Sequence, residues 1–147
     1  MTMKKHLALI AAASLSLTGL CLAQSDAPYT EGPVWQITMV KTKAGMSDDY
    51  LKALSKIYKS TNDEAKKQGI IMDYKILVGD NAGPGDFDIL LMEEYPNMAA
   101  LDGLRDKLDP INKKLVGSED AQRQGAIKRM EIRDILGGKL MREVTLK

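Results

Sequence analysis

Residues 70–95 read IIMDYKILVGDNAGPGDFDILLMEEY, two apolar runs separated by a loop of glycine, asparagine, aspartate and proline. Apolar runs bounded in this way read as the two strands of a β-hairpin. In the second run Phe87, Ile89 and Leu91 alternate with Asp88, Leu90 and Met92, which is the two-residue period of a strand that turns one face to a core. The first run offers apolar residues on both sides: Ile70, Met72, Tyr74, Ile76 and Val78 oppose Ile71, Asp73, Lys75 and Leu77.

Upstream of the hairpin, Ser47 followed by Asp48 and Asp49 predicts a helix start, and Gly69 a stop. Between them Tyr50, Leu51, Leu54, Ile57, Tyr58, Thr61 and Ala65 recur at helical spacing. Before that helix, residues 34–43 place Trp35, Ile37 and Met39 on one side and Gln36, Thr38 and Val40 on the other, a further strand. Downstream, Asn97 caps a helix with the stripe Met98, Leu101, Leu104 and Leu108, and Pro110 is expected to break or kink it before Ile111 and Leu115. A third helical segment starts at Ser118, with Glu119 and Asp120 in its first turn and Ile127 and Met130 as its apolar anchors. Gly137 and Gly138 are read as its stop, and residues 139–146 as a last strand.

The order β-α-β-β-α-(α)-β is that of an α+β, ferredoxin-like domain, a four-stranded antiparallel sheet with its helices on one face. The pattern assigns Trp35, Ile37, Met39, Phe87, Ile89, Leu91, Leu140, Val144 and Leu146 to the helix side. The other side then carries Gln36, Thr38, Val40, Leu77, Asp88, Leu90, Met92, Met141, Glu143 and Thr145. A face that apolar needs a cover. In this layout residues 34–146 resemble the dimeric α/β-barrel superfamily, which holds antibiotic-biosynthesis-monooxygenase-like, stress-responsive and related small proteins. The resemblance lies in the element order, the hydrophobic pattern and the Leu136-Gly137-Gly138 turn into the final strand. It implies a homodimer whose two open sheet faces close into a barrel.

The N-terminus has a separate purpose. Lys4 and Lys5 precede an apolar run from Leu7 to Leu20, and Cys21-Leu22-Ala23 precedes the polar Gln24, the order of a secretory signal cleaved after a small residue. Residues 1–23 are therefore read as a signal peptide, 24–33 as a flexible lead-in with two prolines, and 34–147 as a single domain. Lipidation at Cys21 is the rival reading, but Leu20 stands where a small residue is wanted. The mature protein is expected to be periplasmic or extracellular, and no later segment approaches the roughly 20 apolar residues of a spanning helix.

Cleavage after Ala23 removes the only histidine, His6, and the only cysteine, Cys21. It leaves 124 residues with 19 basic and 20 acidic side chains, a net charge of about −1, too small to recruit nucleic acid or an anionic membrane surface. Without histidine or cysteine, serine triads, the usual zinc sites and proximal-histidine haem ligation are absent from the mature chain. Haem-binding members of the superfamily put a histidine on the iron, and this chain departs from them there.

Other chemistry is thin. The glycine-rich loop at residues 79–86 lacks a following Lys-Ser/Thr and leads into a strand, so it has no phosphate-cradling geometry. Its Asp80, Asn81 and Asp86, with Asp88, are oxygen donors without the spacing of a calcium loop, and such residues build turns. Seven mature methionines lie on separate elements, as core filler does, with no cluster suited to Cu(I). No cofactor, metal or catalytic residue is assigned. Gln36, Thr38, Asp73, Lys75, Asp88, Glu94 and Glu143 would converge on the interior of a barrel and form a small-molecule site, or pair with one another and set the dimer register.

These features favour a non-enzymatic exported module that binds a small organic molecule or completes a dimer. The alternative is a cofactor-independent monooxygenase or isomerase acting on an aromatic or polyketide-like compound, with Trp35, Gln36, Asn62 and Tyr74 as its polar and aromatic wall. N-terminal analysis of exported material is expected to begin at Gln24, open or cyclised to pyroglutamate. A start at diacylated Cys21 overturns the cleavage reading.

Overall fold

A computed structural model describes residues 26–147; the signal-peptide reading of residues 1–23 lies outside them. The elements are β1 (Tyr29–Thr42), α1 (Ser47–Lys56), α2 (Tyr58–Lys67), β2 (Asp73–Val78), β3 (Ile89–Tyr95), a 3-10 turn (Met98–Leu101), α3 (Leu104–Leu115), α4 (Glu119–Met130) and β4 (Arg133–Leu146). The four strands form one antiparallel sheet in the order β2-β3-β1-β4. That order, with helices between β1 and β2 and between β3 and β4, is the ferredoxin-like fold.

Several local boundaries differ from the sequence reading, each for a traceable reason. The helix expected to run from Ser47 to Gly69 is two helices, broken at Ile57 with φ −110° and ψ −63°. Ser60 and Thr61 follow the break, and both hydroxyls donate to the Ile57 carbonyl, at 3.0 and 2.9 Å. Such back-bonding competes with the helical ladder and bends it. Gly69 ends α2 at φ +70°, with the Ile70 N–H returning to the Ala65 carbonyl at 2.9 Å, a left-handed closure that glycine adopts without a Cβ penalty. The helix expected from Asn97 is interrupted: Asn97 caps only the 3-10 turn, accepting from the Ala100 N–H, and α3 starts anew at Leu104 after Gly103 at φ +63° and continues through Pro110 without the expected break. Ser118 caps α4 by accepting from the Ala121 N–H.

The edges of the sheet are longer than the alternation suggested. Tyr29, Thr30 and Glu31, read as lead-in, pair with Leu146, Thr145 and Val144, and a register shift follows at Gly32-Pro33. Likewise Gly137 and Gly138 do not stop a helix; α4 ends at Met130, and both glycines lie within β4. A Cβ on Gly138 would meet the Ile37 carbonyl at 3.3 Å, and one on Gly137 the Met39 side chain at the same distance. These glycines mark a close approach beside the Met39/Val40 register shift.

The most consequential difference is the face of β1. Val40 is fully buried with Tyr50, Leu54, Ile89 and Leu91 beneath α1, so Val34, Gln36, Thr38 and Val40 turn toward the helices. Trp35, Ile37 and Met39 turn the other way. This reverses the assignment made from the pattern, because β1 is interior to the sheet and apolar on both sides. Ile89 and Leu91 of β3 do face the helices as expected. A second core cluster, Ala65, Ile71, Tyr95 and Ile111, joins α2, α3 and the sheet.

Ile89 is 0% exposed, so its truncation tests this packing. Ile89→Val is expected to cost about 0.5–1.5 kcal/mol and Ile89→Ala about 2–5 kcal/mol, read by chemical denaturation. An alanine variant as stable as the parent would mean that β3 faces the other way.

Candidate functional site

The reversal of β1 decides where polar groups meet. On β3, Ile89, Leu91, Glu93 and Tyr95 share the helix-facing parity, so a carboxylate sits in an otherwise apolar row. Gln36 of β1 shares that side. Between these strands and α2 and α3 lies a cavity of about 200 Å³, lined by residues that include Gln36, Asn62, Glu93, Tyr95, Leu104 and Asn112. A second cavity of about 190 Å³ lies between α1, α2, β3 and the α4–β4 junction, lined by residues that include Tyr50, Leu54, Ile57, Leu91, Arg129 and Arg133. Both are bordered by Tyr58 and Thr61, so they adjoin as two lobes between helices and sheet.

Tyr58 borders both lobes. Its hydroxyl donates to the Met92 carbonyl at 3.3 Å and also bonds the Glu93 carboxylate, while its ring meets the Tyr74 ring edge-on at a centroid distance of 5.8 Å. Tyr74 is itself tethered, its hydroxyl donating to Asp63 at 2.7 Å. Burial, above all, pushes the Glu93 carboxyl above the usual carboxylate range, and the Tyr58 hydroxyl offsets this in part. Burial and then Glu93 push the Tyr95 hydroxyl up to about 12. Asn62, 9% exposed, anchors its amide nitrogen on the Tyr58 carbonyl at 2.9 Å. The first lobe therefore offers a carboxyl, three amide side chains and two phenols in an apolar frame, able to orient a small molecule by hydrogen bonds.

The second lobe is cationic. Arg133, the first residue of β4, lies over the Tyr50 ring with its guanidinium carbon 5.6 Å from the centroid. Its Nε is buried and has no hydrogen-bond partner. Arg129, in the last turn of α4, is near enough to repel Arg133; desolvation first, and that repulsion second, lower its affinity for its proton. Tyr50 is pushed up by burial and drawn back by both arginines.

The seven site residues expected from sequence do not form one site. Gln36 lines the first lobe, and Thr38 lines a shallow groove with Gln36, Leu101 and Leu140 on the helix side. Asp73 is held at the sheet edge by Lys66 at 2.8 Å. Asp88 lies before β3, accepts from the Thr42 N–H at 2.9 Å and also bonds the Thr42 hydroxyl, a structural clasp between β1 and the hairpin loop. Lys75, Glu94 and Glu143 do share the open face, gathered round Trp35. The Lys75 ammonium stands 4.8 Å from the Trp35 ring centroid, the indole N–H donates to Glu143 at 3.2 Å, and Glu94 pairs with Trp35 across the ladder. They make a braced surface rather than a pocket.

Sequence reasoning missed Tyr50, Tyr58, Glu93, Asn112, Arg129 and Arg133. Glu93 carried a signal, since it interrupts the apolar parity Ile89, Leu91, Tyr95. The arginines carried none, because their meeting depends on how α4 returns to β4. Among the described residues, no group of three or more histidine, cysteine, aspartate or glutamate side chains could hold a metal ion, and no helix is long and apolar enough to cross a membrane.

No family model matches the chain, and no curated protein matches it at a significant level. Among solved structures, it is similar to a dimeric ferredoxin-like protein from an uncultured marine organism, with a TM-score of 0.47 and 11% identity over 80% of this chain and 90% of that one. It is also similar to a NIPSNAP family protein of unknown function from Agrobacterium tumefaciens, with a TM-score of 0.44 and 14% identity over 79% and 90%. A dimeric protein of unknown function and ferredoxin-like fold from Bacteroides fragilis overlaps with a TM-score of 0.40 and 13% identity over 81% and 100%. The overlaps are loose, and the strand order of the chain itself establishes its ferredoxin-like fold.

Proposed function

We propose that the mature chain is an exported, non-enzymatic binding protein for a small organic molecule and works as a homodimer. The observation that carries the binding reading is the two-lobed cleft, where Gln36, Asn62, Glu93 and Asn112 converge on apolar walls beneath the helices. Convergent polar groups in a largely apolar concavity are what hold and orient small ligands. Export rests on the signal-like N-terminus. A thermal-shift screen of the mature protein tests the binding reading, since a ligand that binds only the folded state raises the melting temperature by mass action.

Self-association is supported by the open sheet face. There Trp35, Ile37, Met39, Leu77, Leu90, Met92 and Met141 share one side, with Leu77 and Met141 each 51% exposed. Two such faces would bury well over ~1,000 Å² together, the scale of a stable interface. The Lys75–Trp35–Glu143 brace would give that interface a fixed polar register. Light scattering is expected to show a dimer at micromolar concentration, and Leu90→Lys or Met92→Lys to give monomers or aggregate, while Gln122→Lys changes nothing. A well-folded monomer would overturn the dimer.

A second reading, a cofactor-independent monooxygenase or isomerase, is favoured by Glu93 alone, a carboxyl with a raised pKa beside a phenol inside a cavity. Its protonation has a thermodynamic signature. Because the folded-state pKa is raised, the stability linked to the protonated carboxyl is complete below the unfolded-state value of about 4.3 and is lost as pH rises through the folded-state value. Neutral Glu93→Gln has no such loss. The variant is expected to gain on the parent in melting temperature between pH 4 and pH 8; a constant difference would mean that Glu93 is solvated.

A further inference from the structure

We infer that the second lobe of the cleft takes a small organic carboxylate, its charge held by Arg129 and Arg133 and its apolar body lying against Leu54, Ile57 and Leu91. This deepens the binding reading above and rests on it. The first ground is charge. The chain has five arginines, and three have acidic partners: Arg105 with Asp109, Arg123 with Asp120, and Arg142 with Glu31. The other two face the same cavity, and among the described residues neither makes a salt bridge. Two like charges converging in a partly desolvated cavity repel each other, and an anion between them removes that cost.

The second ground is donor geometry. The Arg133 Nε–H is buried and unbonded, and a guanidinium presents its N–H groups as a fork that fits the two oxygens of a carboxylate. Nε itself is covered by protein atoms, so within the cavity a ligand oxygen is taken by the terminal N–H groups of the fork. The cation–π contact and side-chain hydrogen bond with Tyr50 restrain the Arg133 guanidinium, which lowers the entropy lost when it grips a ligand.

The third ground is shape. The rest of the lining is Ala53, Leu54, Ile57 and Leu91, with Tyr58 and Thr61. An inorganic anion would leave those walls without a partner, whereas a carboxylate with a compact hydrocarbon body covers them. The volume of about 190 Å³ is below the ~300–1,000 Å³ of drug-sized sites, which points to a monocarboxylic acid with one ring or a short chain.

Benzoate, its neutral isostere benzamide and inorganic phosphate separate these terms in thermal-shift and calorimetric titrations of the mature protein at constant ionic strength. Benzoate is expected to raise the melting temperature, and benzamide and phosphate to leave it unchanged. Arg129→Gln and Arg133→Gln are each expected to weaken benzoate at least about tenfold, the scale of a lost charge-assisted bond, while Arg105→Gln binds as the parent does. Arg133→Lys, which keeps the charge and loses the fork, serves where the glutamine variant does not fold, and it too should weaken benzoate. Equal shifts with benzoate and benzamide, or with benzamide alone, would overturn the carboxylate assignment and leave the binding cleft standing. A shift with phosphate equal to that with benzoate would overturn the apolar-body requirement. No shift with any of the three would overturn this inference, and the cleft reading falls separately only when the wider screen also finds no ligand. Full benzoate affinity in Arg129→Gln or in the Arg133 variants overturns the anchor.

Discussion

Everything in this domain depends on strand β1, which has a hydrogen-bonded neighbour on each side and apolar residues on both faces. Its side chains alternate with a strict period of two, so a change of one residue in register would exchange the faces completely. Val34 and Val40, both fully buried, go to the helices, and Trp35, Ile37 and Met39 are thereby sent to the open side. Tyr50 and Leu54 of α1 close over Val40 together with Ile89 and Leu91 of β3. Burying four or five large side chains at this one crossing contributes several kcal/mol at ~25 cal/mol per Å², enough to settle the parity.

That parity also creates the cleft. Gln36 lies on the helix side because Val34 and Val40 do, and Glu93 because Ile89, Leu91 and Tyr95 do. Each polar side chain follows a face chosen by its apolar neighbours. Burial then raises the Glu93 carboxyl, and the Tyr58 hydroxyl supplies the hydrogen bond that makes such a position tolerable. The break between α1 and α2 at Ile57 belongs to the same arrangement, since Ile57, Tyr58 and Thr61 all border the second lobe. A bent helix pair follows the twisted sheet while leaving space beneath the bend.

The two sides of the sheet consequently have different characters. The helix side contains concavities with isolated polar groups. The open side is continuous and braced, with Trp35 held at 9% exposure by the Lys75 ammonium, the Glu143 carboxylate and its strand neighbours. The open side thus presents an aromatic flanked by opposite charges, and the helix side presents recesses lined by a carboxyl with a raised pKa and by two arginines. One strand therefore separates an apolar open face from a recessed, helix-covered one.

The amino-acid sequence by itself determined the element order, the hairpin of β2 and β3, the stop at Gly69, the caps at Asn97 and Ser118, and hence the ferredoxin-like class. All of these depend on local periodicity, capping and turn chemistry, which act over a few residues. It also marked the open face as apolar, although it placed Val40 there and Trp35 on the other side. Tertiary structure alone decided the face of β1, because with both parities apolar the choice falls to partners far along the chain, Tyr50 and Ile89. It decided as well that Gly137 and Gly138 lie inside a strand, since only the closeness of Ile37 and Met39 across the ladder calls for residues without a Cβ. The meeting of Arg129 and Arg133 over Tyr50 was beyond sequence reasoning for the same cause. Their separation from Tyr50 along the chain says nothing about distance until α4 turns back to lay β4 beside β1.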